Sequence, residues 1–422
     1  MTSRFRLALV AFSLAVAGCG DQFNAGPLRY VESETMGVDL KGKPKLQEAV
    51  RKALTDLYGS SPQQIKVPTG SGLPNGGIYL ANRADIGGQT KSLMILNPDT
   101  KRPIAQQGGY RLYRNHCLHC HGVSGAGDGP TSTFLYPRPR DYRKGLFKFT
   151  STRSGAKPTR DDLRKTLRNG LHGTSMPAFD ALLSPAEIEQ LIDYTIFLSM
   201  RGETELGLIA EAAVADENDP NPLPEDVVGE IASGVANKWK AAEAQVVNPP
   251  VPRVASNRES VQRGRELFLG LNRTGNKVDC TSCHGPQAVG NGPSFVKQDV
   301  FNDVVFGGDP SEQEARLLRY EKNVPGTLEL WKQSLDDWGD PLRPNNLNRG
   351  VYKGGRRPID LYWRIAKGIN GAKMPAHSET LEPERIWDLV NFVLALPYEP
   401  KLLEGATLPN TRPATAPAVA RH

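Results

Sequence analysis

Four of the chain's five cysteines fall into two C-x-x-C pairs, each followed directly by histidine: Cys117, Cys120 and His121, then Cys280, Cys283 and His284. Two thiols one helical turn apart, with an imidazole beside them, suit c-type attachment of haem. Each thiol forms a thioether with a vinyl group, and the histidine reaches the iron from the same side. Zinc and a redox dithiol are the competing chemistries for C-x-x-C. Zinc ribbons bring their pairs much closer in sequence, and no βαβ pattern surrounds either pair as a thioredoxin-like motif requires. The expected cofactor is therefore two covalently bound haem c groups, tethered by the four cysteines and bound at iron by His121 and His284.

An iron held by histidine on one face needs its sixth ligand from elsewhere in the chain. Methionine is the usual choice for electron transfer, because a soft thioether favours reduced iron and raises the potential. Of six methionines, Met176 and Met374 stand at matching points, each within G-x-x-M-P-A. A core-packing role is the plain alternative for either. His172, in the same loop as Met176, is a rival ligand for the first site only, since Asn370 stands there in the second. His116 and His119 lie too close to the tethering cysteines to cross to the other face. His377 lacks a counterpart, because Phe179 follows Ala178. With both irons six-coordinate, no catalytic residues are expected.

The elements that position these residues form an internal repeat. Gly109 to Tyr113 (G-Y-R-L-Y) precedes the first cysteine pair and Gly264 to Phe268 (G-R-E-L-F) the second. Glycine-rich turns follow, G-D-G-P-T and G-N-G-P-S, then R-K-G-L-F-K ending at Lys148 and N-R-G-V-Y-K ending at Lys353. Asp162 to Ala178 matches Asp360 to Ala376, and each copy runs into a helix, beginning near Ser184 with Pro185 in its opening position and near Glu382. The second copy carries extra residues at about 295–340, expected to be an elaborated loop over one haem edge or, less simply, a partner surface.

Around the repeat, residues 1–18 have the basic start, apolar stretch and small residue of a secretory signal. V-A-G-C at Val16 to Cys19 is similar to a bacterial lipoprotein signal, which implies lipidation at Cys19 and a membrane anchor; an ordinary signal with an incidental cysteine is the alternative. Residues 19–103 are expected to be a loop-rich tether with a short helix through Leu46, Val50, Leu54 and Leu57 and a strand near Ile78 to Leu80. Residues 104–201 form module one, 202–256 a linker with one helix, 257–400 module two, and 401–422 a disordered tail. The 52 basic and 46 acidic residues are interspersed, so the net +6 suggests no nucleic-acid partner.

The two modules resemble class I bacterial cytochrome c domains in tandem, over about Ile104 to Met200 and Ser256 to Tyr398. The fold class implied is mainly α, two cytochrome c-like helical domains. The resemblance implies that helices bearing Gly109/Tyr113 and Gly264/Phe268 cross the last helix of each module. It also implies that the Pro130 and Pro293 carbonyls accept from the proximal imidazoles. The expected function is that of a lipid-anchored carrier or redox subunit on the periplasmic side of a bacterial membrane. It would pass single electrons between a membrane dehydrogenase or quinol-oxidising complex and a terminal oxidase. A dihaem peroxidase, needing one iron with an open sixth position, is the alternative.

Overall fold

The computed structural model describes residues 28–408 except 81–82, 87–88, 93, 97–102, 106–107 and 272–277. Two helices precede the repeat. Ser33 caps α1 (Glu34–Asp39) by accepting the Thr35 N–H, and Pro44 opens α2 (Pro44–Tyr58), where a helix has no use for its missing N–H. Helix α2 buries Leu46, Val50, Leu54 and Tyr58, a spacing of four that makes one face. Leu57, expected on that face, is half-buried. The strand expected near Ile78 is instead a 3-10 helix, Pro74–Leu80, because Pro74 and the Asn-Gly-Gly run after it favour turning over extension. Short strands flank it: β1 (Lys66–Val67) lies parallel to β2 (Arg83–Ile86), which pairs antiparallel with β3 (Gln89–Ser92). A second ribbon joins β4 (Met94–Leu96) to β5 (Pro103–Ala105).

The first repeat comprises α3 (Gly109–His116), α4 (Leu118–His121), α5 (Arg160–Asn169) and α6 (Pro185–Val214). Capping boxes, Thr159 with Asp162 and Ser184 with Glu187, start α5 and α6. Helix α3 packs directly on α6: a Cβ added at Gly109 would sit 2.2 Å from the Gln190 carbonyl oxygen. Helix α6 is buried on nearly every side, polar residues such as Gln190, Asp193 and Glu205 included, because α1, α2, α3, α5 and α7 (Glu225–Lys240) surround it. It continues to Val214, past the expected module end at 201, and α7 buries Ala232, Val235, Ala236 and Trp239. Described parts of the expected tether and linker thus pack on module one as part of its core. Their narrow apolar stripes are diluted by Gly, Pro and charge in the sequence. Each large side chain they bury fully contributes about 1.5–3 kcal/mol.

The Pro-rich run after α7 is a strap between modules. Proline removes N–H donors but leaves carbonyls. Nearby carbonyls are taken by indoles of the second module: Trp363 Nε1 donates to Val247 O at 2.7 Å and Trp387 Nε1 to Val251 O at 3.2 Å. The second repeat follows as α8 (Arg258–Phe268) and α9 (Cys280–His284). The extra residues then form α10 (Gln298–Phe306), α11 (Gln313–Asn323) and α12 (Thr327–Gln333), before α13 (Pro358–Lys367) and α14 (Pro383–Ala395) complete the repeat. Gly264 presses on the Asp388 carbonyl as Gly109 presses on Gln190, so the crossing expected of each module is present. The extra helices have their own core of Val300, Phe301, Val304, Leu317 and Trp331. Tyr136 of module one packs on Phe301 with ring centroids 5.8 Å apart. The insert is a helical bridge, where an elaborated loop was expected. The fold is mainly α, and no described helix is long and apolar enough to cross a membrane. Cys19 and the tail beyond residue 408 lie outside the described residues.

Candidate haem-binding cavity

Helices α4 and α9 place the two cysteine pairs. The Cys120 and His121 N–H groups both donate to the Cys117 carbonyl, at 3.1 and 2.9 Å, winding the motif into one turn. In the second motif Asp279 caps α9 by accepting the Ser282 N–H at 3.0 Å. The glycine-rich turns then fold back identically: Gly127 N–H donates to His121 O and Gly290 N–H to His284 O, at 3.0 and 2.9 Å. None of the four cysteines is in a disulfide, and burial pushes the Cys117 and Cys280 thiols up to about 12. Among the described residues no group of three His, Cys, Asp or Glu is arranged to hold a metal ion.

Both imidazoles are half-buried at the cavity wall, and their surroundings favour the neutral form. Burial lowers His121 to about 4 and lowers His284 in the same direction. The Nδ1–H of His121 donates to Arg140 O at 3.2 Å and that of His284 to Asn345 O at 3.3 Å, which leaves each Nε2 as the acceptor nitrogen a metal takes. These carbonyls replace those expected of Pro130 and Pro293. Both prolines are exposed at the ends of the glycine turns, which bond to the backbone of the histidine and not to its ring. A sequence signal for the true partners exists: Arg140 and Asn345 each follow a proline and stand three residues before the matched R-K-G and N-R-G.

The methionine loops are built alike. Leu171 N–H donates to Met176 O at 3.1 Å, and Ile369 N–H to Met374 O at 3.2 Å. Cys117, Cys120, His121 and Met176 border a cavity of about 850 Å³, and Cys280, Cys283, His284 and Met374 border that same cavity. His172 is exposed and lies off it. His116, His119 and His377 border it, so His377, set aside for want of a counterpart, stands beside the Met374 loop.

The walls suit a planar apolar group that carries carboxylates. Apolar side chains such as Phe147, Leu167, Phe268, Leu361 and Val393 line the cavity, together with Lys148, Lys353 and Arg364. Burial lowers Lys148 to about 8 and Arg364 to about 10. Lys353 is lowered by burial alone, and among the described residues no carboxylate pairs with it. A buried cation without a counter-charge is costly, and the propionates of haem are anions of the kind it lacks. The residues present therefore fit haem.

Comparison with known proteins agrees. Residues 105–194 match the family described as Cytochrome C oxidase, cbb3-type, subunit III. No curated protein matches the chain by sequence. Among solved structures, a chain of the Kuenenia stuttgartiensis reducing HAO-like protein complex is similar at 22% identity and a TM-score of 0.44, over 68% of this chain and 94% of that one. The chain thus carries a cytochrome c family domain at residues 105–194, a kind of domain that binds haem c covalently.

Proposed function

We propose that the chain is a dihaem cytochrome, anchored by lipid at Cys19 on the periplasmic side of a bacterial membrane, that relays single electrons between redox proteins. The observation that carries this reading is the common cavity: two complete sets of tethers, histidine and methionine border one space. Haem supplies a one-electron iron couple when bound. The chain's residues do the rest. Cys117, Cys120, Cys280 and Cys283 would tether the haems, and His121, Met176, His284 and Met374 would supply their iron ligands. Arg140 O and Asn345 O fix the orientation of the two imidazoles. Apolar walls exclude water, and Lys353 and Arg364 would neutralise carboxylates. A histidine and a methionine for each haem would leave no vacant position for substrate, which favours electron relay over peroxide chemistry. The partners are a membrane dehydrogenase or quinol-oxidising complex as donor and a terminal oxidase as acceptor, with the chain acting as carrier or as a subunit of such a complex.

The absorption spectrum tests this. Two low-spin haems with methionine–iron bands are expected; a high-spin haem with peroxide turnover would favour the peroxidase instead. For the anchor, Cys19→Ala moves the protein from the membrane to the soluble fraction, and an unchanged distribution would reject lipidation at Cys19.

A further inference from the structure

One turn of the insert touches both sites. Asp336 is 5% exposed and lies at the end of the extra helices. Its Oδ2 accepts from Lys148 Nζ at 2.7 Å and from both terminal nitrogens of Arg140 at 3.4 Å. Its Oδ1 accepts the N–H groups of Trp338 and Asp340, each at 3.0 Å, which closes the turn. The Trp338 ring lies under the Arg140 guanidinium, 3.7 Å from ring centroid to Cζ, and its Nε1–H donates to Asp141 O at 3.0 Å. Arg140 is therefore held on two sides by the second module, and its carbonyl receives the Nδ1–H of His121.

The far side of the same turn reaches the second site. Asp337 N–H donates to Gly371 O at 3.0 Å. Trp338 packs so closely on Gly371 that an added Cβ would lie 2.0 Å from its Cζ3. Gly371 opens the G-A-K-M segment that ends at Met374, and Lys373 Nζ lies 3.8 Å from Asp337 Oδ1.

We propose that the Asp336–Asp340 turn is a positioning clamp that holds the imidazole support of the first site and the methionine loop of the second together, so that this one turn tunes both sites. This rests on the two-haem reading above. Asp336, Trp338 and Arg140 are positioning residues. A carboxylate held by two cations and two backbone donors is a strong anchor, and a cation over an indole adds to it. Hydrogen bonding behind a ligating histidine raises its basicity, which stabilises the oxidised metal. Loosening Arg140 accordingly raises the first midpoint potential. Loosening Gly371 weakens the methionine bond and lowers the second.

The test is a redox titration of the haem-loaded, full-length protein and of its Trp338→Ala, Trp338→Phe and Asp336→Asn variants. Methionine–iron bands are read alongside, and waves are assigned with Met176→Leu and Met374→Leu. Haem count comes first: a wild-type chain holding one haem ends the two-haem reading and this clamp with it. With two haems present, Trp338→Ala moves the midpoints in opposite directions, the first up and the second down, and dims the second methionine band. Asp336→Asn, which also removes a negative charge, raises the first by about tenfold in the reduction equilibrium, ~59 mV for a one-electron couple. Trp338→Phe keeps the ring and gives a smaller shift of the same pattern. Should Trp338→Ala fail to fold, the two milder variants carry the test. Two haems with shifts confined to one site, or with none, overturn the clamp.

Discussion

The two methionine loops show how one motif acquires two kinds of support. In the first, the loop stands on its own bonds: Thr174 Oγ1 donates to Leu171 O and receives the Met176 N–H, while His172 faces solvent. In the second, Asn370 occupies the position of His172. It is buried, donates from Nδ2 to Phe147 O at 3.0 Å and accepts the Gly155 N–H at 3.1 Å, both in module one. The imidazole supports reverse this pattern. Arg140, behind His121, is held by the other module, whereas Asn345, behind His284, bonds within its own repeat, from Nδ2 to Val351 O. The same residue types thus sit in unlike frames, and the frames, more than the motifs, distinguish the two sites.

The largest expected effect comes from removing one site outright. Cys280→Ser with Cys283→Ser abolishes covalent haem at the second motif and leaves the first loaded; intact mass reads the loss of one haem, and loss of both would mean that the sites do not load independently. Next, Met176→Leu and Met374→Leu each lower one midpoint and leave the other nearly unchanged. A second-site methionine band that survives Met374→Leu would exclude Met374 as its source. If the wild-type second site shows no methionine band and Met374→Leu leaves its midpoint unchanged, His377, which borders the cavity beside the loop, becomes the candidate ligand.

A smaller effect separates the loops. Asn370→Ala leaves buried backbone groups without partners and costs about 1–3 kcal/mol, whereas His172→Ala stays within about 0.5 kcal/mol; denaturant midpoints compare them, and equal costs would erase the proposed difference.

Much of this was legible in the residues. The C-x-x-C-H motifs, the matched methionine loops and the crossing glycines sit in local patterns that repeat, and periodicity located α2, α14 and the start of α6 within a residue or two, though not the extension of α6 to Val214. What escaped was long-range. The carbonyl behind each imidazole comes from a segment whose proximity depends on how the glycine turns fold, so the nearer prolines, Pro130 and Pro293, were the wrong choice. Composition made residues 202–256 look like a linker, because the burial of Trp239 and the carbonyls offered by Val247 and Val251 depend on partners far along the chain. The insert's role lies in Asp336 and Trp338, which have no counterpart in the first copy and so no repeat to reveal them.

The central claim, two complete sites facing one cavity, is tested most directly by the intact mass of the matured protein under conditions that preserve thioethers. The account predicts the mass of the chain plus two haem groups. A mature chain carrying a single haem would contradict it.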